Sequence, residues 1–448
     1  MAKQHRTWKE SIVRLSAHVK LREEYFGGIV FHKNTGDTVE VDREAYEMLV
    51  WLPKAGATDM RGLLRQKQAR DTLTVLLDMN IIEYLPEKTP DTPDFQFMPY
   101  QKTQKDNDIS LEINRRNRLS APETVHLAVT YKCGENCPDC YARRHIPFVD
   151  YELDTAEMCG IIDALAESGI FQLAIGDGEP FMRSDLSDIV SHAARKGLVV
   201  HITTGQYTLK PQYIDMLNNI KSLHIGIRSE ELIHDEKNTS KKLHTLKKYA
   251  CNTGISLGAN LIMTRFTLLN IDKLTELLLE CGFNRFIFLR YKPVSDRVRW
   301  NNENPGANEL KSFKNWLIQT KHNYSQLMLR VDCASAFLMR DMDLPAAVYA
   351  GIKGCAAGER IISVAPDGSV YPCSQLVGHN YKAGNLINDT FKNIWQESDI
   401  LSKYRNFRQK DDFIDGVCGQ CGANHFCGGC RIFAKDAVGS EPFCPMEQ

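Results

Sequence analysis

The sequence lacks the features of a membrane or secreted protein. No apolar run approaches the roughly 18–20 residues that a membrane-spanning helix needs. The chain starts with MAKQHRTWKE, which is charged and has no apolar stretch behind it, so it does not resemble a secretory signal. These absences predict a cytoplasmic protein without a membrane partner.

The chain also lacks an excess of charge of either sign. Its 448 residues include 55 basic and 56 acidic side chains. A nearly neutral chain offers no broad electrostatic surface for nucleic acid, and residues 43–84 show no dense Lys/Arg face. We therefore expect no nucleic-acid partner. The length exceeds that of one ordinary core and predicts two or three domains.

Cysteine, in contrast, is plentiful, with 14 residues. Disulfides are rare in the reducing cytosol, and most of these cysteines stand in close-set groups near glycines, a pattern that favours metal ligation. Cys159, Cys251 and Cys281 instead lie within helical patterns. We expect these three to be buried small apolar residues.

Residues 1–90 predict a small winged-helix-like domain. Two alternating strands, 27–32 and 38–41, flank the turn signal Asn34-Thr-Gly36. Three short helices and a strand over 81–84 follow. The candidate helix caps are Asp42, Thr58 or Asp59, and Asp71. The alternative is a plain structural lobe.

The rest of the chain predicts an α/β protein with a cysteine-rich end. Residues 91–122 are polar and contain several prolines, which is typical of a linker. Residues 123–325 alternate strands and helices and predict a parallel sheet, open or partly closed, whose ligands gather at the carboxyl ends of the strands. The predicted strands are 125–129, 171–175, 199–203, 223–227, 256–262 and 285–289. Residues 326–448 predict a compact domain held by metal.

Three cysteines follow the first of these strands with the spacing C-x3-C-x2-C. They are Cys133, Cys137 and Cys140. A structural zinc site would need a fourth ligand, which His145 could supply. The other interpretation is a 4Fe–4S cluster held by three thiolates, with one open iron for a substrate or cofactor.

This spacing resembles the signature of the radical S-adenosylmethionine superfamily. The resemblance implies a partial (β/α)6 TIM-like barrel in which S-adenosylmethionine fills the open iron site. One electron, supplied by a flavodoxin- or ferredoxin-type donor, then cleaves the sulfonium, and the 5′-deoxyadenosyl radical abstracts a substrate hydrogen. The cofactor carries the difficult chemistry and the protein positions it.

A second stretch, Gly176-Asp-Gly-Glu-Pro180, follows the second strand. It resembles the G-G-E-P segment with which the family holds the methionyl amino group. Gly178 would allow a close backbone approach, Glu179 would accept from the ammonium group, and Pro180 completes the motif. Asp177 stands where the family usually has its first glycine.

Further cofactor contacts follow from the same resemblance. Asp139 stands where an aromatic residue is common, so the adjacent Tyr141 is our candidate for packing against adenine. Thr203 and Thr204 resemble the polar turn that faces the cofactor, and Ser229 matches a ribose-contacting position. A plain structural role is the alternative for the last three, because Ser and Thr are common at strand ends.

The late cysteines resemble the seven-cysteine SPASM extension of radical enzymes that modify peptides and proteins. The resemblance implies two auxiliary 4Fe–4S clusters, so that the chain would hold three clusters. The more distant set would be Cys418, Cys421, Cys427 and Cys444, and the nearer set Cys355, Cys373 and Cys430. Cys333 could be the fourth ligand of the nearer cluster, or an iron could stay open for substrate. Two zinc-ribbon sites are the alternative.

The N-terminal domain resembles the PqqD-like element that binds leader peptides by adding a strand to a sheet edge. Together these resemblances imply a maturase of a ribosomally made precursor peptide, which oxidatively installs a thioether or carbon–carbon crosslink. The alternatives are a maturase of a folded protein, such as a sulfatase-type formylglycine former, and a non-catalytic iron–sulfur electron carrier. No side chain is recognised as a general acid or base.

Overall fold

The computed structural model separates into two compact units, residues 1–120 and residues 121–448. The described residues are 13–54, 67–84, 97–98, 118–135, 137, 140–149, 151–293, 297–339, 354–434 and 436–444. The predicted helix near Thr58 lies outside them. Within them, no helix is long and apolar enough to cross a membrane.

The first unit contains two small sheets. Its strands are β1 (Val13–Leu15), β2 (Val19–Glu24), β3 (Gly27–His32), β4 (Asp37–Asp42), β5 (Ile82–Tyr84) and β6 (Phe97–Met98). One sheet has the order β4-β3-β2-β6, with β2, β3 and β4 antiparallel, and the other pairs β1 with β5. The predicted hairpin is therefore present as β3 and β4.

Two helices pack in the core of this unit. Helix α1 (Arg43–Trp51) begins at the predicted cap, where the Asp42 carboxylate accepts a hydrogen bond from the Ala45 amide at 2.8 Å. Helix α2 (Lys67–Asp78) starts four residues before Asp71. The prediction that Asp71 caps it is wrong, because the good helix formers Lys67 to Ala69 extend the helix upstream.

The second unit contains one continuous sheet of ten strands. The six predicted strands are present as β7 (Thr124–Leu127), β8 (Gln172–Ile175), β9 (Val199–Thr204), β10 (Ser222–Ile227), β11 (Ser256–Met263) and β12 (Arg285–Arg290). They are parallel neighbours in chain order, which is the predicted α/β partial barrel.

Four further strands extend this sheet at both ends. They are β13 (Met328–Val331), β14 (Ile361–Val364), β15 (Ser369–Tyr371) and β16 (Gly384–Asn385). Strand β13 pairs with β12, and β14 pairs in parallel with β7, so that Ile361 lies opposite Thr124. The cysteine-rich C-terminal segment therefore shares one hydrogen-bonded sheet with the barrel.

Helices connect the strands and cover the sheet. Those of the barrel are α3 (Thr155–Glu167), α4 (Leu186–Arg195), α5 (Ser229–His234), α6 (Glu236–Thr253), α7 (Arg265–Leu269), α8 (Ile271–Glu280), α9 (Arg297–Glu303) and α10 (Ala307–Asn323). Shorter helices follow as α11 (Phe391–Glu397), α12 (Asp399–Arg405), α13 (Asp411–Ile414) and α14 (Val417–Gln420). In α4, Leu186, Ile189, Val190 and Ala193 form the buried stripe.

The prediction that the three helical cysteines are all buried is only partly right. Cys281 is buried, as expected, but Cys251 is exposed and Cys159 is partly exposed. Cys159 lies beside the buried positions Met158 and Ile161 of α3 rather than among them. A helical pattern alone does not fix which side of the helix a residue occupies.

A polar layer crosses five strands near their amino ends. Its members are Thr124, Gln172, His201, Ser222, His224 and Asn260. Hydrogen bonds join His201 to the Ser222 hydroxyl at 2.6 Å and to the Gln172 side chain at 3.2 Å. His224 contacts the same hydroxyl at 2.9 Å. The cysteine triplet, which follows β7, therefore lies toward the opposite ends of the strands.

Candidate active site

The cysteine triplet occupies the loop after β7. Cys133 is exposed, and Cys137 and Cys140 are partly buried. Burial raises the pKa of the Cys133 and Cys137 thiols, and the nearby Cys140 thiol raises both further. The three thiols therefore lie close enough for the Cys140 thiol to influence the pKa of the other two. The guanidinium of Arg228, which follows β10, is near Cys137 and lowers the pKa of its thiol.

The turn 176–180 packs directly against this loop. Gly178 has a φ of 141°, and a Cβ at this position would collide with the Thr130 carbonyl oxygen. The Glu179 amide donates to the Lys132 carbonyl at 2.9 Å. Only glycine fits at residue 178, because the two backbones touch there.

The side chain of Glu179 is buried and hydrogen-bonded to the end of β9. Its side chain is 1% exposed. It accepts from the Thr204 hydroxyl at 2.8 Å, from the Gly205 amide at 3.0 Å and from the Phe181 amide at 3.2 Å. Burial raises its pKa, against these hydrogen bonds. Glu179 therefore holds the end of β9 against the turn.

Asp177, which stands where the superfamily usually has glycine, bonds to Tyr141, our candidate for packing against adenine. The Tyr141 hydroxyl donates to Asp177 Oδ1, while Asp177 Oδ2 is buried and has no hydrogen-bond partner among the residues that the structure describes. Burial raises the pKa of Asp177 to about 6, although the Tyr141 hydrogen bond opposes this rise. Asp177 also has a φ of 61°, a conformation that favours glycine.

His145, the candidate fourth zinc ligand, is fully buried. Its ring lies between Tyr131 and Tyr141, with centroid distances of 5.6 and 5.7 Å. Burial lowers its pKa to about 3. Among the described residues, no three His, Cys, Asp or Glu side chains are placed to hold a single metal ion.

The structure places the remaining predicted cofactor contacts, Thr203 and Ser229, apart from each other. Thr203 is half-buried on the opposite side of β9 from Thr204, beside Gly176. Ser229 is 8% exposed, and its hydroxyl accepts from Thr267 at 3.0 Å. The turn 176–180 therefore joins Glu179, Thr204 and Tyr141, whereas Ser229 belongs to another hydrogen-bond group.

The nearer auxiliary set converges on Cys333. Desolvation raises the pKa of the Cys333 thiol, and the nearby thiols of Cys355, Cys430 and Cys373 raise it further, although the Cys333 residue as a whole is exposed. Cys333 follows β13, Cys373 follows β15, and both Cys355 and Cys430 are buried. A set of four thiols suits an iron–sulfur cluster.

The more distant set is grouped around Cys427. Burial raises its pKa to about 11, and the nearby thiols of Cys444 and Cys418 contribute. The Cys418 sulfur accepts from the Glu441 amide at 3.3 Å. Cys421 is partly buried and follows α14, three residues after Cys418.

Two glycines explain the short spacing between Cys427 and Cys430. Gly428 and Gly429 have φ values of 68° and 74°. Two successive left-handed residues turn the chain sharply. Cys427 can therefore lie with Cys418 and Cys444 while Cys430 lies with Cys333.

Charged residues near these thiols were not predicted from the sequence. Arg290, at the end of β12, forms an ion pair with Glu441, whose other oxygen accepts from the Cys430 amide at 2.7 Å. Lys292 bonds to Asp332 at 2.7 Å. Arg290 and Lys292 stand at the end of the sixth strand, whereas Asp332 and Glu441 have no signal in the sequence.

Comparisons with known proteins agree with this arrangement. Residues 127–230 match the Radical SAM superfamily, and residues 355–422 match SPASM, described as an iron–sulfur cluster-binding domain.

Three curated relatives are similar to about the same degree. The mycofactocin maturase MftC of Mycolicibacterium smegmatis is 25% identical over 335 residues, covering 72% of this chain and 81% of that protein. The AdoMet-dependent heme synthase of Methanosarcina barkeri is 24% identical over 351 residues, covering 72% and 97%. The PqqA peptide cyclase of Ruegeria pomeroyi is 25% identical over 348 residues, covering 73% and 88%.

The fold is also that of a solved structure. Streptococcus suis SuiB bound to S-adenosylmethionine superposes with a TM-score of 0.69 and 16% identity, covering 96% of this chain and 99% of SuiB. SuiB has also been solved with its precursor peptide SuiA, and that structure superposes with a TM-score of 0.68. This chain therefore contains a radical SAM domain and a SPASM iron–sulfur domain, and it is an enzyme that uses S-adenosylmethionine.

Proposed function

We propose that this chain binds the leader of a ribosomally made precursor peptide and oxidatively crosslinks the core peptide. The observation that carries this proposal is the placement of three thiol sets along one sheet. The triplet lies beside the turn 176–180, and the two auxiliary sets lie in the segment that continues the same sheet through β14.

The thiol sets would hold three 4Fe–4S clusters. Cys133, Cys137 and Cys140 would bind the cluster that takes S-adenosylmethionine. The nearer auxiliary cluster would have Cys333, Cys355, Cys373 and Cys430, and the other Cys418, Cys421, Cys427 and Cys444. When bound, the cofactor and its cluster supply the radical chemistry.

The side chains around the turn 176–180 would position S-adenosylmethionine. Glu179 fixes the turn through Thr204 and Gly205, so its role is to orient the backbone that meets the methionyl group. Tyr141 is held by Asp177, and its ring would border the adenine side. Thr203, Pro180 and Ser229 are further proposed contacts.

The leader peptide would bind to the first unit. Within the described part of this unit, β4 is the terminal strand of the sheet β4-β3-β2-β6. An extended peptide can add as a further strand beside the terminal strand of a sheet. A flavodoxin- or ferredoxin-type protein would supply the electrons.

A second candidate is a non-peptide substrate. The heme synthase is as similar to this chain as the two maturases are. The first unit favours the peptide, because the SuiB superposition covers 96% of this chain and so extends over both units.

The test is a reconstituted reaction under reducing, anaerobic conditions with a candidate precursor peptide. We expect conversion of S-adenosylmethionine to 5′-deoxyadenosine and a peptide lighter by two hydrogens per crosslink. The matched control is the Cys137→Ala variant, which should give neither product. Cofactor cleavage with every peptide unchanged would favour the non-peptide substrate, and no cleavage at all would refute both candidates.

A further inference from the structure

Lys292 lies at the nearer auxiliary thiol set, where the sequence predicts no charged residue. It follows β12, and its ammonium group bonds to Asp332 Oδ2 at 2.7 Å. The side chains of this ion pair are only 10% and 14% exposed. Asp332 directly precedes Cys333, so the pair stands next to the thiol around which the set converges.

Packing places Lys292 close to the other members of the set. Its neighbour Tyr291 lies in one apolar cluster with Ala334 and Cys430. Burial alone would lower the pKa of Lys292, but the charges of Asp332 and of the Cys430 and Cys333 thiols raise it. In turn, Lys292 lowers the pKa of Cys373 and Cys430 against the effect of burial. The ion pair with Asp332 and the packing of Tyr291 therefore place Lys292 in the neighbourhood of Cys333 and Cys430.

An iron–sulfur cluster gains negative charge when it is reduced. A fixed positive charge nearby stabilises the reduced form, and burial strengthens the interaction because little water screens it. The negative charge of the Asp332 carboxylate has the opposite effect, because it destabilises the reduced form of the same cluster. The ion pair therefore provides two opposing charges at one cluster.

We propose that Lys292 raises the reduction potential of the nearer auxiliary cluster and that Asp332 moderates this effect. This inference rests on the proposed function, since it needs the cluster held by Cys333, Cys355, Cys373 and Cys430. A higher potential suits a cluster that accepts the electron lost by the substrate as the crosslink forms. Lys292 is a tuning residue, because it acts through the cluster.

The test is a redox titration monitored by electron paramagnetic resonance. It uses the full chain with Cys133, Cys137 and Cys140 replaced by alanine, so that only auxiliary signals remain. We expect Lys292→Gln to move one midpoint potential to a more negative value and Asp332→Asn to move the same potential to a more positive value. Lys292→Arg keeps the positive charge, so its midpoint potentials should be close to those of the parent protein.

Two controls separate the charge effect from structural damage. Lys196→Gln removes another ion-paired lysine, which contacts Asp163 on the barrel surface at 3.0 Å, and should leave both potentials unchanged. The double variant Lys292→Gln/Asp332→Asn should give a potential between those of the single variants. A purely structural role does not predict shifts of opposite sign.

The iron content of the parent protein distinguishes an error in the proposed ligand sets from an error in the inference about Lys292. If the parent lacks iron for two auxiliary clusters, the proposed ligand sets are wrong and the inference falls with them. If Lys292→Gln retains full iron and its potentials match the parent, or if both single variants shift the same way, the inference alone is overturned.

Discussion

At the residue scale, Asp177 shows how a departure from a family pattern is accommodated. Its φ of 61° lies in the left-handed region, where a residue other than glycine costs on the order of 1 kcal/mol or more. The hydrogen bond from Tyr141 offsets part of this cost and ties the turn to the loop of the cysteine triplet. The two residues therefore act as a pair.

This pairing predicts a coupling between two substitutions. Tyr141→Phe removes the hydrogen bond and leaves the Asp177 carboxylate buried without its donor, which should cost about 1–3 kcal/mol. Adding Asp177→Gly removes both the strain and the stranded carboxylate. We expect the double variant to recover most of the lost stability, as measured by thermal unfolding of the iron-loaded protein at pH 7.5.

The single variant Asp177→Gly completes the cycle. If Asp177→Gly changes the free energy of unfolding by the same amount in the parent and in Tyr141→Phe, the two side chains act independently and the pairing has no energetic weight.

At the element scale, the polar layer makes the barrel sensitive to acid. His224 is 7% exposed, and burial lowers its pKa to about 4 from an ordinary value of 6.5. His201 is lowered to about 3 by burial, with His224 contributing. Both residues are neutral in the folded barrel, and their hydrogen bonds depend on that state.

The sign of the pH dependence follows from these shifts. Below pH 6.5 the unfolded chain binds protons that the folded barrel excludes, so stability falls as the pH decreases toward 4. For His224 alone the loss is about 2 kcal/mol at pH 5. We expect the thermal unfolding midpoint to fall between pH 7.5 and pH 5, and to fall less in His224→Gln. An identical fall in both proteins would contradict this prediction.

The same elements show what the sequence could and could not predict. Strands β7 to β12 were placed within about two residues, because each combines an apolar pattern with a following helix. Strand β2 was missed because Lys20, Arg22 and Glu24 interrupt its apolar pattern, although all three are buried. Glu24 bonds to Arg22 at 2.7 Å and to the Ser120 amide at 2.8 Å, and no local pattern reveals such partners.

The candidate site divides in a similar way. The thiol sets were predicted from the resemblance to two family patterns, whose cysteines stand in recognisable groups in the sequence. The pairing of Tyr141 with Asp177, and of Lys292 with Asp332, joins residues 36 and 40 positions apart. Only the folded sheet brings these partners together.

At the scale of the whole molecule, we expect peptide binding to slow hydrogen exchange in the first unit. Among the described residues, β4 is the terminal strand of its sheet, whereas β3 is paired on both sides. We expect the leader of the precursor peptide to slow hydrogen exchange over residues 37–42, as measured by mass spectrometry. Residues 172–175 of β8, paired on both sides, serve as the internal control.

Saturating leader that leaves exchange over 37–42 unchanged would place the binding surface elsewhere. Protection confined to 67–78 would assign it to α2 instead of the sheet edge.

The pairing of β14 with β7 also constrains how such enzymes can be recombined. A chimera that takes its iron–sulfur segment from another enzyme must restore the register of Ile361 against Thr124, and of Val364 against Leu127. A junction placed between the two matched regions without that register would leave β7 as a bare edge, prone to self-association. For engineers exchanging these segments, the interchangeable unit thus has to include the first barrel strand.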